Sequence, residues 1–360
     1  MAVNIHTIIT GSGSYIPPVQ IDNDHFSGYR FFDPATRQPF EKENEEIIEK
    51  FREITNIEER RWALPEEQTS DLGYLAARNA IESSGIDPES LDFIIAAHNF
   101  GDMASDNYRA TMVPYIAAKI KQKLGLKNPQ MFAHDVIAGC PGWVQALIVA
   151  DMYLKSGYYQ RGLVIGTDLN SRVADPNDRD TMIFADGAGA VIVEAVSSEE
   201  PVGILSHAAQ TDALESGFLV MDRSLNPEYP RDDLFIRMQG HKVYVYALTN
   251  VPKVVKRSLQ LAGLTLEDVK KVLIHQANEK MDQAILERVF KLYKIKDIPE
   301  DVMPMTINKL GNSSSATIPT LYDLIMKNKL DGHSFSSGDV IVFTSVGAGM
   351  MINSVVYRLP

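Results

Sequence analysis

Cys140 is the only cysteine among 360 residues. It lies in DVIAGCPGWVQALIVADMYLKSG, between Gly139 and the pair Pro141 and Gly142, just ahead of a helical apolar pattern. Gly-Cys-Pro reads as a helix start with proline at the first helical position, where its missing N–H costs nothing. The free N–H groups and the positive end of the helix dipole favour a thiolate there, and the thiolate is the reactive form. That setting suits covalent catalysis, although a lone cysteine also serves as inert packing. His275 closes the apolar run VLI in KVLIHQANEKMDQAILERVF, with polar residues after it and a helix beginning a few residues on. Ligand sites gather at such carboxyl ends of strands, yet a lone histidine there serves structure as readily as chemistry. Asn312 stands in KLGNSSSATIP. By type it is a helix cap, and with the adjacent serines and amides it also makes a donor-rich pocket. The glycines of SVGAGMM let backbone approach a substrate closely, and a backbone N–H there, paired with that of Cys140, would form an oxyanion hole. His98, Asn99 and Asp102 are expected to line the same cleft.

The elements that must position these groups occur twice. AARNAIESSGIDPESLDFIIAAH and VVKRSLQLAGLTLEDVKKVLIHQ each read as an amphipathic helix, a glycine stop, a short acidic turn and a buried strand. AGCPGWVQALIVADMYLKSG pairs with LGNSSSATIPTLYDLIMKNKL, GLVIGTD with GDVIVFTS, and ADGAGAVIVEA with SVGAGMMINSVV. Four matches in one order predict a duplication. Short apolar strands interleaved with helices make each half α/β, with helices covering a central sheet. The halves join near VSSEEPVG, giving residues 1–198 with the nucleophile and 199–360 with the histidine and asparagine. Cys140 and Asn312 occupy equivalent helix starts, which a pseudo-twofold axis would bring face to face.

Composition excludes several classes. Hydrophobic residues at 45% and charged residues at 23% describe a globular chain with ample core. A net charge of -12 gives no global basic footprint for nucleic acid. The longest uncharged run, IVFTSVGAGMMINSVV, is too short and polar for a membrane span, and the opening MAVNIHTIITGSGS lacks the pattern of a secretory signal, so the expected location is the cytoplasm. One cysteine rules out an internal disulfide framework and a Cys-cluster metal site. GSGSYIPP has Gly-x-Gly but Tyr-Ile-Pro-Pro where a dinucleotide fingerprint needs a helix. DPNDRD, with Asp175, Asp178 and Asp180, lacks calcium-loop spacing and reads as a capped turn.

GCPGW, HQAN, GNSSSATIP and VGAGM, in this order and spacing, resemble the thiolase superfamily, and within it the β-ketoacyl-acyl-carrier-protein synthase III family. The resemblance runs over nearly the whole chain. It implies a thiolase-like five-layered αβαβα fold from two duplicated halves, a homodimer, and a triad of Cys140, His275 and Asn312. It implies that Cys140 takes an acyl group from a thioester. His275 and Asn312 then stabilise the enolate left when a malonyl-type thioester loses carbon dioxide, and a Claisen condensation gives a β-ketoacyl thioester. The backbone N–H groups of Cys140 and Gly349 would hold the oxyanion. No cofactor is implied; acyl-coenzyme A or acyl-carrier-protein thioesters are the substrates and the carrier protein a partner. Arg172 matches an arginine bordering the coenzyme A tunnel, and Lys280 a docking arginine for carrier protein. Lys253, Lys256 and Arg257 lie at helical spacing on VPKVVKRSLQ and either extend that patch or form a solvated face.

There are departures. PGW follows the nucleophile where Ala-Gly-Phe is usual. NEEIIEKFREITNIEERR lacks the tryptophan that stacks on the coenzyme A adenine. HNFGDMASDNYRATMVPYIAAKIKQKLG is longer than usual, and FFDPATRQPFEKENEE is an insertion. These leave two alternatives open: a specialised branch that joins two β-ketoacyl thioesters into dialkylresorcinol or cyclohexanedione products, and an acyltransferase that makes an ester or amide.

Overall fold

The computed structural model describes residues 4–360. Two sheets divide the chain. The first contains β1 (Ile5–Tyr15), β4 (Phe93–His98), β7 (Phe132–Ile137), β8 (Arg161–Leu169) and β9 (Asp186–Ser197), in the order β1-β9-β8-β4-β7. The second contains β10 (Gly203–Thr211), β13 (Val269–Ile274), β14 (Val340–Gly347) and β15 (Met351–Arg358), in the order β10-β15-β14-β13. The pairings repeat: β1 and β10 each run antiparallel to their neighbour, β9 and β15 antiparallel to β8 and β14, and β4 and β13 parallel to β8 and β14. Among the described residues, β7 is the strand of the first sheet without a counterpart in the second. It forms the edge of the first and is mostly half-buried.

Helices make three further layers. α2 (Thr69–Ser84) and α3 (Ile116–Lys123) cover the outer face of the first sheet, packing on Ile94, Ala96, Leu163 and Ile165. α5 (Gly240–Leu261) and α6 (Glu279–Leu292) cover the outer face of the second, on Val272, Ile274, Val340 and Val342. α4 (Gly142–Lys155) and α8 (Thr317–Met326) lie between the sheets, against the alternate residues Ile95, Ala97, Leu273 and Phe343. Each central strand is apolar on both faces because it is covered twice. The central layer explains why α4 and α8 carry small and apolar residues nearly all round: Trp143 on α4 is 1% exposed, and fully burying a side chain of that kind contributes on the order of 1.5–3 kcal/mol or more. The glycine stops fall where the sequence places them, with Gly85 and Gly263 both in left-handed backbone, φ 69° and 70°.

The remaining elements build a cap over one end. They are α1 (Asn44–Thr55), the pair β2 (Val19–Asp22) and β3 (Glu59–Trp62), the pair β5 (Asp102–Ala104) and β6 (Asn107–Thr111), the hairpin β11 (Leu219–Arg223) and β12 (Leu234–Met238), and the short α7 (Ile307–Leu310). A separate apolar cluster joins them through Phe31, Ile47, Phe51, Ile183, Phe184 and Ile236. GSGSY is the end of β1 rather than a nucleotide loop. The aspartates of DPNDRD cap their own turn: Asp178 Oδ1 accepts from the Asp180 N–H at 3.0 Å and Asp175 Oδ1 from the Asn177 N–H at 2.9 Å.

Candidate active site

Cys140, His275, Asn312 and Gly349 line one cavity of about 360 Å³. Cys140 sits in the turn between β7 and α4. Pro141 occupies the N-cap of α4, one place earlier than the sequence predicts, with Gly142 as the first helical residue. Behind the thiol, β14 ends at Gly347. A Cβ there would lie 2.6 Å from Pro141 Cδ and 2.9 Å from Cys140 Cβ, so only glycine lets this strand close on the nucleophile. Gly349 follows with φ 76°. His275 stands one residue beyond β13, its N–H bonded to the Thr344 carbonyl at 2.9 Å. Asn312 is reached from α7 through Gly311 and bridges the two halves: its N–H donates to the Ile183 carbonyl and its carbonyl accepts from Ala185, each at 2.9 Å.

The sequence assigns Asn312 the role of a helix cap. In the structure α8 starts only at Thr317, after a short 3-10 turn. The Asn312 Oδ1 instead accepts from the Ser314 N–H at 2.8 Å. Fixing the oxygen leaves the NH2 as the group this carboxamide presents to the cavity.

The thiol corrects a second expectation. Burial pushes Cys140 up to about 12, opposed by the Ser314 hydroxyl and reinforced by the nearby Asp168 charge. The push is worth about 4 kcal/mol at most, less where water reaches the thiol through the cavity. The helix dipole supplies only ~0.3–1 kcal/mol. Desolvation therefore outweighs the dipole, and the resting group is the thiol. His275 is drawn the other way: burial pulls it down to about 4, with a hydrogen bond to the Ser314 backbone opposing. At neutral pH it is an uncharged imidazole, a hydrogen-bond donor rather than a cation.

Of the three polar residues His98, Asn99 and Asp102 at and after the end of β4, only one reaches the cavity. Side chains alternate along a strand. His98 turns inward, fully buried, its Nε2 2.9 Å from Asp135 Oδ2. Asp102 is also buried and pairs with Lys119 at 2.9 Å. Asn99 lines the cavity. Its N–H and Nδ2 donate to the two oxygens of Asp168 at 2.7 and 2.9 Å, and Nδ2 also donates to Ser314 Oγ at 2.7 Å.

Arg172 does not border the cavity. Its guanidinium is buried and donates to the carbonyls of Met103, Leu64 and Pro65, so it ties surrounding loops together. Lys280 is exposed on α6, next to the cavity-lining Met281, and shares a surface recess with Arg52, Glu53 and Glu279. Lys253 and Arg257 are exposed on α5, whereas Lys256 is half-buried over the Tyr293 ring at 5.5 Å.

Two further residues have no sequence signal of their own. Ser314 is described below. Asn170, just past β8, is fully buried and lines the cavity. Its Nδ2 donates to the Ala185 carbonyl at 3.0 Å, while its Oδ1 has no partner. The rest of the wall is largely apolar and includes the hairpin (Leu219, Val220, Met221, Ile236, Met238) and Met281. The cavity thus sets a thiol beside neutral donors in a mostly apolar wall.

Known proteins share this fold. Two models of one family, described as 3-oxoacyl-[acyl-carrier-protein (ACP)] synthase III and its C-terminal part, match residues 134–213 and 259–359, together about half of the chain. Among solved structures, 3-oxoacyl-[acyl-carrier-protein] synthase III from Aquifex aeolicus is 29% identical over 98% of this chain and 99% of its own, with a TM-score of 0.80. The synthase III of Pseudomonas aeruginosa is 26% identical over 99% of this chain and 98% of its own, TM-score 0.81. The priming β-ketosynthase of the R1128 polyketide pathway is 25% identical over 100% and 98%, TM-score 0.80. The fold and these matches define a thiolase-like, acyl-transferring condensing enzyme. The chain belongs to the 3-oxoacyl-[acyl-carrier-protein] synthase III family. No helix among the described residues is long and apolar enough to cross a membrane.

Proposed function

We propose that this chain forms carbon–carbon bonds by Claisen condensation through a Cys140-His275-Asn312 triad. The observation that carries the reading is that all three, with Gly349, line one cavity although they come from distant parts of the chain. In the first step the Cys140 sulfur attacks the carbonyl carbon of an acyl thioester. The C–S bond to the carrier breaks, and the departing thiolate takes up the proton released by Cys140. The N–H groups of Cys140 and Gly349 hold the oxyanion of the tetrahedral intermediate. In the second step a malonyl-type thioester enters with its thioester oxygen toward the His275 ring and the Asn312 NH2. Carbon dioxide leaves, and the two neutral donors stabilise the enolate. Its carbon attacks the acyl-enzyme, the C–S bond to Cys140 breaks, the released thiolate takes up a proton from solvent, and the β-ketoacyl thioester departs. Decarboxylation itself generates the carbanion, so this sequence requires no resident cofactor.

An ester- or amide-forming reaction needs a base to activate an alcohol or amine, and an imidazole pulled down to about 4 is poorly matched to that task. Product analysis separates the two. With an acyl thioester and [13C]malonyl thioester, the proposal expects a β-ketoacyl thioester carrying label and release of one equivalent of carbon dioxide. An ester or amide with no carbon dioxide would overturn it.

A second reading, in which a β-ketoacyl thioester is one of the partners, is favoured by Asn170. A buried acceptor without a partner costs about 1–3 kcal/mol, and a ligand O–H would relieve it. The enol form of a β-ketoacyl chain carries such a group; a saturated chain does not. Asn170→Leu is expected to lower the loading rate of a β-ketoacyl thioester relative to its saturated analogue by about tenfold. Equal ratios in both proteins would remove this reading.

Carrier protein and coenzyme A remain the proposed thioester carriers, with the exposed Lys280, Lys253 and Arg257 as the basic groups available for docking. A second copy of the chain is the proposed cover for the outer edge of β7, where Ile137 is 59% exposed. A sedimentation mass of one chain would contradict that dimer.

A further inference from the structure

Ser314 touches two members of the triad. Its hydroxyl donates to Cys140 Sγ at 3.4 Å, and its N–H donates to Asn312 Oδ1 at 2.8 Å. The direction of the first bond is fixed from behind. Asn99 Nδ2 donates to Ser314 Oγ at 2.7 Å, so that oxygen is already accepting and its own proton is left for the sulfur. Asn99 cannot swing away, because Asp168 holds both its N–H and its Nδ2. Asp168 is in turn fixed by the Ser315 N–H at 2.9 Å and the Ser315 hydroxyl at 2.6 Å. The residue also adopts a backbone conformation that side chains other than glycine rarely take, φ 55°. Such strain persists only where the surroundings over-determine it, and it clusters at functional sites. Ser314 itself is buried, 3% exposed.

We propose that Ser314 is the positioning residue of this site: its backbone sets the Asn312 carboxamide, and its hydroxyl, aimed by Asn99 and Asp168, hydrogen-bonds the sulfur of Cys140 as it becomes a thiolate. The inference rests on Cys140 being the nucleophile. It divides the residue into two functions that substitution can separate. Ser314→Ala and Ser314→Gly both remove the hydroxyl and keep the backbone contacts, and glycine also relieves the strained φ.

The test is alkylation of Cys140 by iodoacetamide across pH 7–10, which needs no acyl donor and so stands apart from the condensing reaction. Because the thiol is pushed up to about 12, the wild-type rate is expected to rise about tenfold per pH unit across this range without a plateau. Loss of the hydroxyl removes a bond to the charged form and raises the thiol further, so both variants should give parallel lines displaced to rates about tenfold lower. Decarboxylation of malonyl thioester, which depends on His275 and Asn312, should fall clearly less than alkylation does. The glycine variant guards against misfolding of the alanine one. A Ser314→Gly line that superimposes on wild type overturns the proposal, as does an equal loss of alkylation and decarboxylation, which marks general damage to the site.

Discussion

Cys140→Ala is expected to abolish acyl loading, and overall turnover should fall by roughly 10⁴-fold or more. The site provides no substitute. Cys140 is the only cysteine in the chain, and Ser314, whose hydroxyl bonds the sulfur, is oriented as a donor rather than held by a base. The change removes one sulfur from a position hemmed in by Gly347, so the fold should be retained. Melting temperature together with loading by an acyl thioester checks both statements. Loading that survives in the alanine variant would place the acyl group elsewhere.

His275→Ala and Asn312→Ala should act on the other half of the reaction. Each removes one neutral donor from the enolate oxygen, and loss of such a donor costs about 10²–10³ in rate. Acyl loading should change far less, because neither residue is hydrogen-bonded to the Cys140 sulfur. The split is the diagnostic: loading of a short acyl thioester followed by mass, against condensation followed by carbon dioxide release. His275 stays uncharged down to about pH 4, so protonation of this residue should not reduce condensation between pH 5 and 8. A loss of activity centred near pH 6.5 that disappears in His275→Ala would contradict that account. If both variants lost loading as severely as condensation, the assigned roles would be wrong.

The parts of this site legible in sequence are those written into residue type and order. The glycine stops at Gly85 and Gly263, the matching apolar runs of β4 and β13, and the helix starts after Cys140 and Asn312 repeat in order, and repetition exposes equivalent positions. The local setting of Cys140 made a nucleophile plausible, and the resemblance carried by HQAN and GNSSSATIP added the partners. What the sequence could not give depends on three-dimensional enclosure. The helix start after Cys140 argues for a depressed thiol, but burial, which no local pattern records, reverses the direction. Arg172 has the type and place of an anion contact, yet three carbonyls from distant loops occupy it. His98, Asn99 and Asp102 look alike as polar residues around the end of a strand, and burial separates them. Ser314 sits between two other serines, and only its left-handed backbone and its contact with Asn99 distinguish it.

The most direct measurement is intact-protein mass spectrometry in two stages. The protein and Cys140→Ala are first mixed with acyl thioesters from acetyl to long-chain and β-ketoacyl, each on coenzyme A and on carrier protein. The loaded protein is then chased with malonyl thioester. The account predicts a single acyl mass increment on the wild type alone, its loss on chasing, and a β-ketoacyl thioester formed in the same amount. An increment that persists through the chase, or that appears equally on Cys140→Ala, would contradict it.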